Sequence, residues 1–89
     1  MSWLARVYVL PKAEVLDPQG EAIQGALRHL GFAGVESVRS GRLFELRLAA
    51  PDRAAAEMLT REACERLLAH TVVESYRFDL EPATSEGGT

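Results

Sequence analysis

Residues 3–10 alternate between two unlike faces. Ala5, Val7 and Val9 fall on one side and Leu4, Arg6 and Tyr8 on the other, which is the period-two pattern of a β-strand. Pro11 closes the strand, because a proline has no N–H to give to a ladder. After a short loop the period changes. Ala22, Ile23, Ala26, Leu27 and Leu30 recur at helical spacing, with Gln24, Gly25 and Arg28 facing away. The pattern predicts an amphipathic helix that runs to about Leu30 and buries this stripe. Gly31 stands where helix C-termini take up left-handed backbone.

Residues 35–50 read as extended, yet their alternation breaks. Val35 and Val38 are three apart and cannot share a face of a regular strand. Phe44, Leu46 and Leu48 then alternate cleanly with Glu45 and Arg47. Ser40-Gly41 lies between the halves, so the segment is either a tight hairpin or one long strand bent at a bulge. Pro51-Asp52 opens a second helix, with Asp52 as cap. Its inner stripe is predicted as Ala56, Leu59, Ala63 and Leu67, flanked by Thr60 and Cys64. Residues 71–80 form the last strand, with Tyr76, Phe78 and Leu80 on one face. One domain over residues 1–81 follows, with residues 82–89 as a disordered tail. The order β-α-β(-β)-α-β predicts a ferredoxin-like α+β sandwich, an antiparallel sheet with two helices on one face.

The helix starts sharpen this reading. In Val15-Leu16-Asp17-Pro18-Gln19-Gly20, Asp17 can accept from the orphan N–H groups of a first turn. Pro18 sits where its missing donor costs nothing. Capping needs only the Asp-Pro pair, so Leu16, Gln19 and Gly20 exceed what the helix start requires.

Composition narrows function mainly by exclusion. The chain has 89 residues, 47% of them apolar, and a formal net charge of −3. That is one domain with a modest core. No basic stretch suggests nucleic acid as a partner. No apolar run approaches the roughly 20 residues that cross a bilayer. The N-terminus lacks the charged-then-apolar pattern of a signal peptide, which points to the cytoplasm. A single cysteine, Cys64, excludes an internal disulfide and a cysteine-based metal cluster.

No catalytic constellation emerges. His29 and His70 sit near helix C-termini, where an imidazolium interacts well with the dipole. Neither has a carboxylate or thiol at a ligand-like spacing. Cys64 reads as a small buried hydrophobe, and Glu62 and Glu65 as a solvated helix face. Gly31, Gly34 and Gly41 make no phosphate-cradling pattern. Tyr8, Phe44, Tyr76 and Phe78 are core aromatics rather than a base-stacking platform, for want of interleaved basic residues.

Several segments together resemble the PurS family, small subunits of the phosphoribosylformylglycinamidine synthase complex. The likeness covers roughly residues 4–80. It rests on Arg6-Val7-Tyr8-Val9, the Asp17-Pro18-Gln19-Gly20 run, Leu30-Gly31-Phe32, Val38-Arg39-Ser40-Gly41-Arg42 with Phe44-Glu45-Leu46, and Val72-Val73-Glu74-Ser75-Tyr76. Two departures are Arg42, where the family usually has Lys, and His70-Thr71, where it has Asn-Pro.

The resemblance implies a non-catalytic accessory subunit that binds no cofactor itself. In the family, PurQ releases ammonia from glutamine, and PurL uses ATP and magnesium to amidate formylglycinamide ribonucleotide. PurS bridges the two as a dimer and assists ammonia transfer, and its protomers can exchange strand segments. A homodimer or dimer of dimers sharing residues 35–50 is therefore expected. Candidate contact residues are Leu16, Asp17, Gln19, Gly20, Arg39, Gly41 and Arg42. The competing expectation is a stand-alone ferredoxin-like regulatory module that binds a small molecule.

Overall fold

The computed structural model describes residues 1–83. Its elements are β1 (Ser2–Pro11), α1 (Pro18–His29), β2 (Arg42–Ala49), α2 (Arg53–Ala63), a π-helical turn at Cys64–Leu68, and β3 (Glu74–Pro82). The three strands form one sheet in the order β2-β1-β3, antiparallel throughout. The α+β class and the alternating order therefore stand.

β1 is the central strand, and its alternation decides the core. Trp3, Ala5, Val7 and Val9 are all buried. The register sets Val7 opposite Phe44 on β2 and Phe78 on β3, and Ala5 opposite Leu46 and Leu80. Helix α2 and the π-turn close over this face. Val7 and Val9 pack with Cys64 and Ala69, while Trp3 packs with Ala50 and Ala56. The Trp3 indole donates to Ala50 O at 3.3 Å, and the Arg53 guanidinium lies over its ring.

The sheet's other face is mixed and partly solvated, with Leu4, Tyr8, Leu10 and Leu43 among charged residues. Arg6 bridges to Glu45 at 3.1 Å and Glu81 at 3.3 Å, one partner on each neighbouring strand. The Arg77 guanidinium stacks over the Tyr8 ring, 4.0 Å from its centroid.

Four details depart from the sequence reading. First, residues 35–41 form neither a hairpin nor a bent strand. They run irregularly beside the start of α1, and β2 begins only at Arg42.

Second, the buried line of α2 is Ala56, Thr60 and Cys64 rather than one containing Leu59 and Leu67, which are exposed. Thr60 can be buried because its hydroxyl donates to Ala56 O at 2.8 Å and so brings no unmet polar group. The small side chains let the helix sit close to the sheet.

Third, the predicted inner stripe of α1 is not buried. Leu30 is 70% exposed and Ile23 39%. The helix makes no extensive contact with the sheet or with α2. Its ends are nevertheless as expected. Asp17 caps the start, and Gly31 has φ +98°. The N–H of Phe32 reaches Leu27 O and that of Gly31 reaches Arg28 O, the paired bonds of a Schellman ending.

Fourth, the last strand starts at Glu74, because residues 71–73 turn. Both Val73 N and Glu74 N donate to His70 O. The strand runs through Pro82, and Ala83 N donates to Ser2 O, so the ladder extends past residue 81. The rest of the expected tail, residues 84–89, lies outside the described residues.

These placements predict a contrast between two truncations. Val7→Ala removes two buried carbons from the most enclosed strand. It should cost about 2 kcal/mol, transfer and cavity together. Leu67→Ala, on the exposed side of the π-turn, should cost less than about 0.5 kcal/mol in the dissociated protomer. Urea unfolding of both variants measures the difference.

Candidate functional site

Asp17 sits between the loop that leaves β1 and the first turn of α1. Its Oδ1 accepts from Gly20 N at 3.0 Å, which is the helix cap. Its Oδ2 accepts from Ser40 N at 2.8 Å, from the segment that returns from α1 to β2. One carboxylate thus ties three pieces of chain. The two N–H donors, that of Ser40 first, hold its carboxyl below the ordinary value of 3.8, with the Arg39 charge adding to them against partial burial.

The neighbouring candidates assemble around the same point. Gly20 is buried, and a Cβ there would lie 2.5 Å from Val38 O and would strike the Asp17 carboxylate. Gly41 crosses β1 so closely that a Cβ would meet Val9 O and come within 2.7 Å of the Leu10 side chain. The Arg39 guanidinium donates to Pro11 O. Asp17, Gly20, Arg39 and Gly41 are therefore one junction at the base of α1. Leu16, at 71% exposure, and Gln19 project from it into solvent.

Arg42 belongs to a second cluster. Its guanidinium meets Glu74 at 2.7 and 2.8 Å and donates to Leu68 O at 3.3 Å. Glu74 also accepts from His70 N at 2.7 Å. A cross-sheet ion pair thereby fixes the exit of the π-turn. His70 takes part through its backbone, and His29 ends α1 on the surface.

Two partners went unread in the sequence. Glu74 lies 32 residues from Arg42. Glu65, read as a solvated helix residue, accepts from Tyr76 Oη at 2.7 Å. Both pairings depend on strand placement, for which no local pattern exists.

That Tyr76 hydrogen bond pushes the phenol up to about 12. Burial raises the neighbouring Cys64 thiol. Among the described residues no group of three His, Cys, Asp or Glu could hold a metal ion. The clefts are open surface grooves, among them one bounded by Met58, Arg61, Glu62 and Glu65.

Asp17 and Tyr76 act at opposite ends of the pH scale. The Asp17 carboxyl is depressed, so its stabilisation is complete above pH 3.8 and is lost as pH falls through its folded value. The Tyr76 phenol is raised, so its stabilisation is complete below pH 10.0 and fades as pH climbs toward 12. Asp52 makes a single capping bond, to Ala55 N at 2.9 Å. Asp52→Ala should cost about 1 kcal/mol, and Asp17→Ala should lower Tm further because it abandons two N–H groups. The excess should vanish in acid melts, and the loss in Tyr76→Phe should shrink in alkaline ones.

Comparison with known proteins places this geometry. The sequence profile of PurS, phosphoribosylformylglycinamidine (FGAM) synthase, matches residues 4–82. The PurS subunit of Synechocystis is 46% identical over 79 residues, 89% of this chain and 79% of that protein. The Bacillus subtilis PurS subunit is 43% identical over 81 residues, 91% of this chain and 95% of that protein. Among solved structures, Thermus thermophilus PurS superposes with a TM-score of 0.85 at 33% identity, covering 94% of this chain and all of that one. A chain from the structure of PurLQS of Thermotoga maritima also gives 0.85, at 30% identity and 91% and 99% coverage. With the profile spanning both helices and nearly all of the sheet, the chain belongs to the PurS family of phosphoribosylformylglycinamidine synthase subunits.

Proposed function

We propose that the chain is a non-catalytic accessory subunit of phosphoribosylformylglycinamidine synthase, acting in purine biosynthesis. It bridges a glutaminase of the PurQ kind and an ATP- and magnesium-dependent synthetase of the PurL kind, and it assists ammonia transfer between them. The match to PurS over residues 4–82 carries this reading. The PurLQS neighbour, a structure named for three components, supports partners of those kinds. An apolar helix stripe left outside the protomer's own core suits a protein whose work is contact.

On this reading the chain self-associates, and α1 is part of what it shares. Leu16, Ile23, Leu30 and Phe32 form an exposed apolar series along and beside the helix. A symmetric homodimer would cover it twice over. Residues 35–41, which run against the base of α1, belong to the same shared region.

Reconstitution with PurL- and PurQ-type subunits tests the proposal. Glutamine-dependent formation of formylglycinamidine ribonucleotide should require the chain, while formation from free ammonia should not. Full glutamine-dependent turnover without the chain would refute it. Cys64→Ser, His29→Ala and His70→Ala should each leave turnover within about tenfold of wild type, or 1.4 kcal/mol at the barrier. Light scattering at micromolar concentration should give a dimer or tetramer mass. Gln19→Glu, at an exposed first-turn position where the helix dipole welcomes an anion, should leave Tm unchanged and weaken complex formation.

A further inference from the structure

Helix α1 is joined to the body of the protomer at one end only. It makes no extensive contact with the sheet or with α2. Its direction in space must therefore be set where its two connecting segments meet. The incoming segment is residues 12–17 and the outgoing one residues 30–41.

The bonds between these segments are few and concentrated. Asp17, on the incoming side, caps α1 through Gly20 N and grips the outgoing side through Ser40 N. Gly20 lets the backbone carbonyl of Val38 lie against the first helical turn. Arg39 reaches across to Pro11 O, and farther along the helix Gln24 Nε2 donates to Glu36 O at 3.2 Å. The Asp17 carboxylate is the only group among these that engages the helix start and the return segment together.

We propose that Asp17, with the space left by Gly20, is a positioning lock that fixes the angle at which α1 leaves the sheet. A helix cap alone would need one carboxylate oxygen. The second oxygen, on Ser40, joins the helix start to the first residues before β2 and removes the swing that two loops would otherwise allow. The lock matters for assembly because an arm held at one angle presents its apolar stripe ready for docking. If the arm spends a tenth of its time at the competent angle, association weakens by about tenfold. This last step rests on the accessory-subunit reading, in which α1 is shared between copies; the lock itself does not.

Two substitutions separate the lock from the cap. Asn caps helices about as well as Asp, but an amide has a single acceptor oxygen. In Asp17→Asn one of the two N–H groups must face an NH2, whichever way the amide turns. Gly20→Ala favours the helix by propensity, yet its Cβ forces Val38 and the Asp17 carboxylate away. Asp52→Ala is the control, since it loses a cap on the other helix.

Spin labels at Arg28→Cys on α1 and Glu62→Cys on α2 report the angle, with the buried Cys64 unlabelled and excess unlabelled chain added so that only distances within one chain are read. The expected result is one narrow distance in the otherwise native chain and in Asp52→Ala. Asp17→Asn and Gly20→Ala should give a broadened or displaced distribution with helical circular dichroism retained. A narrow, unmoved distance in both would overturn the lock. A broadened distance with about tenfold weaker self-association supports the lock and its role in assembly. A broadened distance with unchanged self-association supports the lock and overturns α1 as a shared surface.

Discussion

A sheet of three strands is about 14 Å wide at a spacing near 4.8 Å, and a helix with its side chains is about 10 Å across. Two helices cannot lie side by side on such a sheet and both be covered. Most of the architecture follows from this. Helix α2 and its π-turn occupy the buried face of β1 and its neighbours, and α1 is left without extensive contact to the sheet. A four-stranded sheet would have had room for both. That the described residues form three strands and that the stripe of α1 is unburied are thus one fact seen twice.

The parts of this fold governed by neighbours in sequence were legible beforehand. The alternation of β1 named its buried face, the two Asp residues marked both helix starts, and Gly31 marked the end of α1. What escaped was decided by size and by distance. Leu59 and Leu67 look like core residues beside Thr60 and Cys64, yet the smaller pair is buried, because a close helix–sheet contact favours short side chains and Thr60 satisfies its own hydroxyl. Residues 35–41 look extended because Val35 and Val38 are β-branched. They join no ladder, and the sheet takes up its third segment only from Arg42 onward.

The candidate site divides along the same line. That Asp17 would cap α1 could be read from Asp-Pro alone. That its other oxygen would hold Ser40 could not, because the contact joins residues 23 apart through a loop with no repeating pattern. Arg42 was singled out without its partner, for Glu74 arrives on a strand whose register only the sheet determines. Leu16, Gln19 and Gly20 exceed what capping requires; the first two are exposed and make no contact that the sequence could have named, while Gly20 is buried against the return segment.

Cys64 carries a consequence of a different kind. Its sulfur is fully enclosed between the second helix and the central strand, and its thiol is held in the protonated form by burial and by the neighbouring Glu65 charge. The thiolate is the species that oxidants and alkylating reagents attack. The described fold is therefore indifferent to the redox poise of its surroundings for as long as that helix stays docked. Reaction at this sulfur becomes a clock for undocking, and every turn of the clock records one opening of the core.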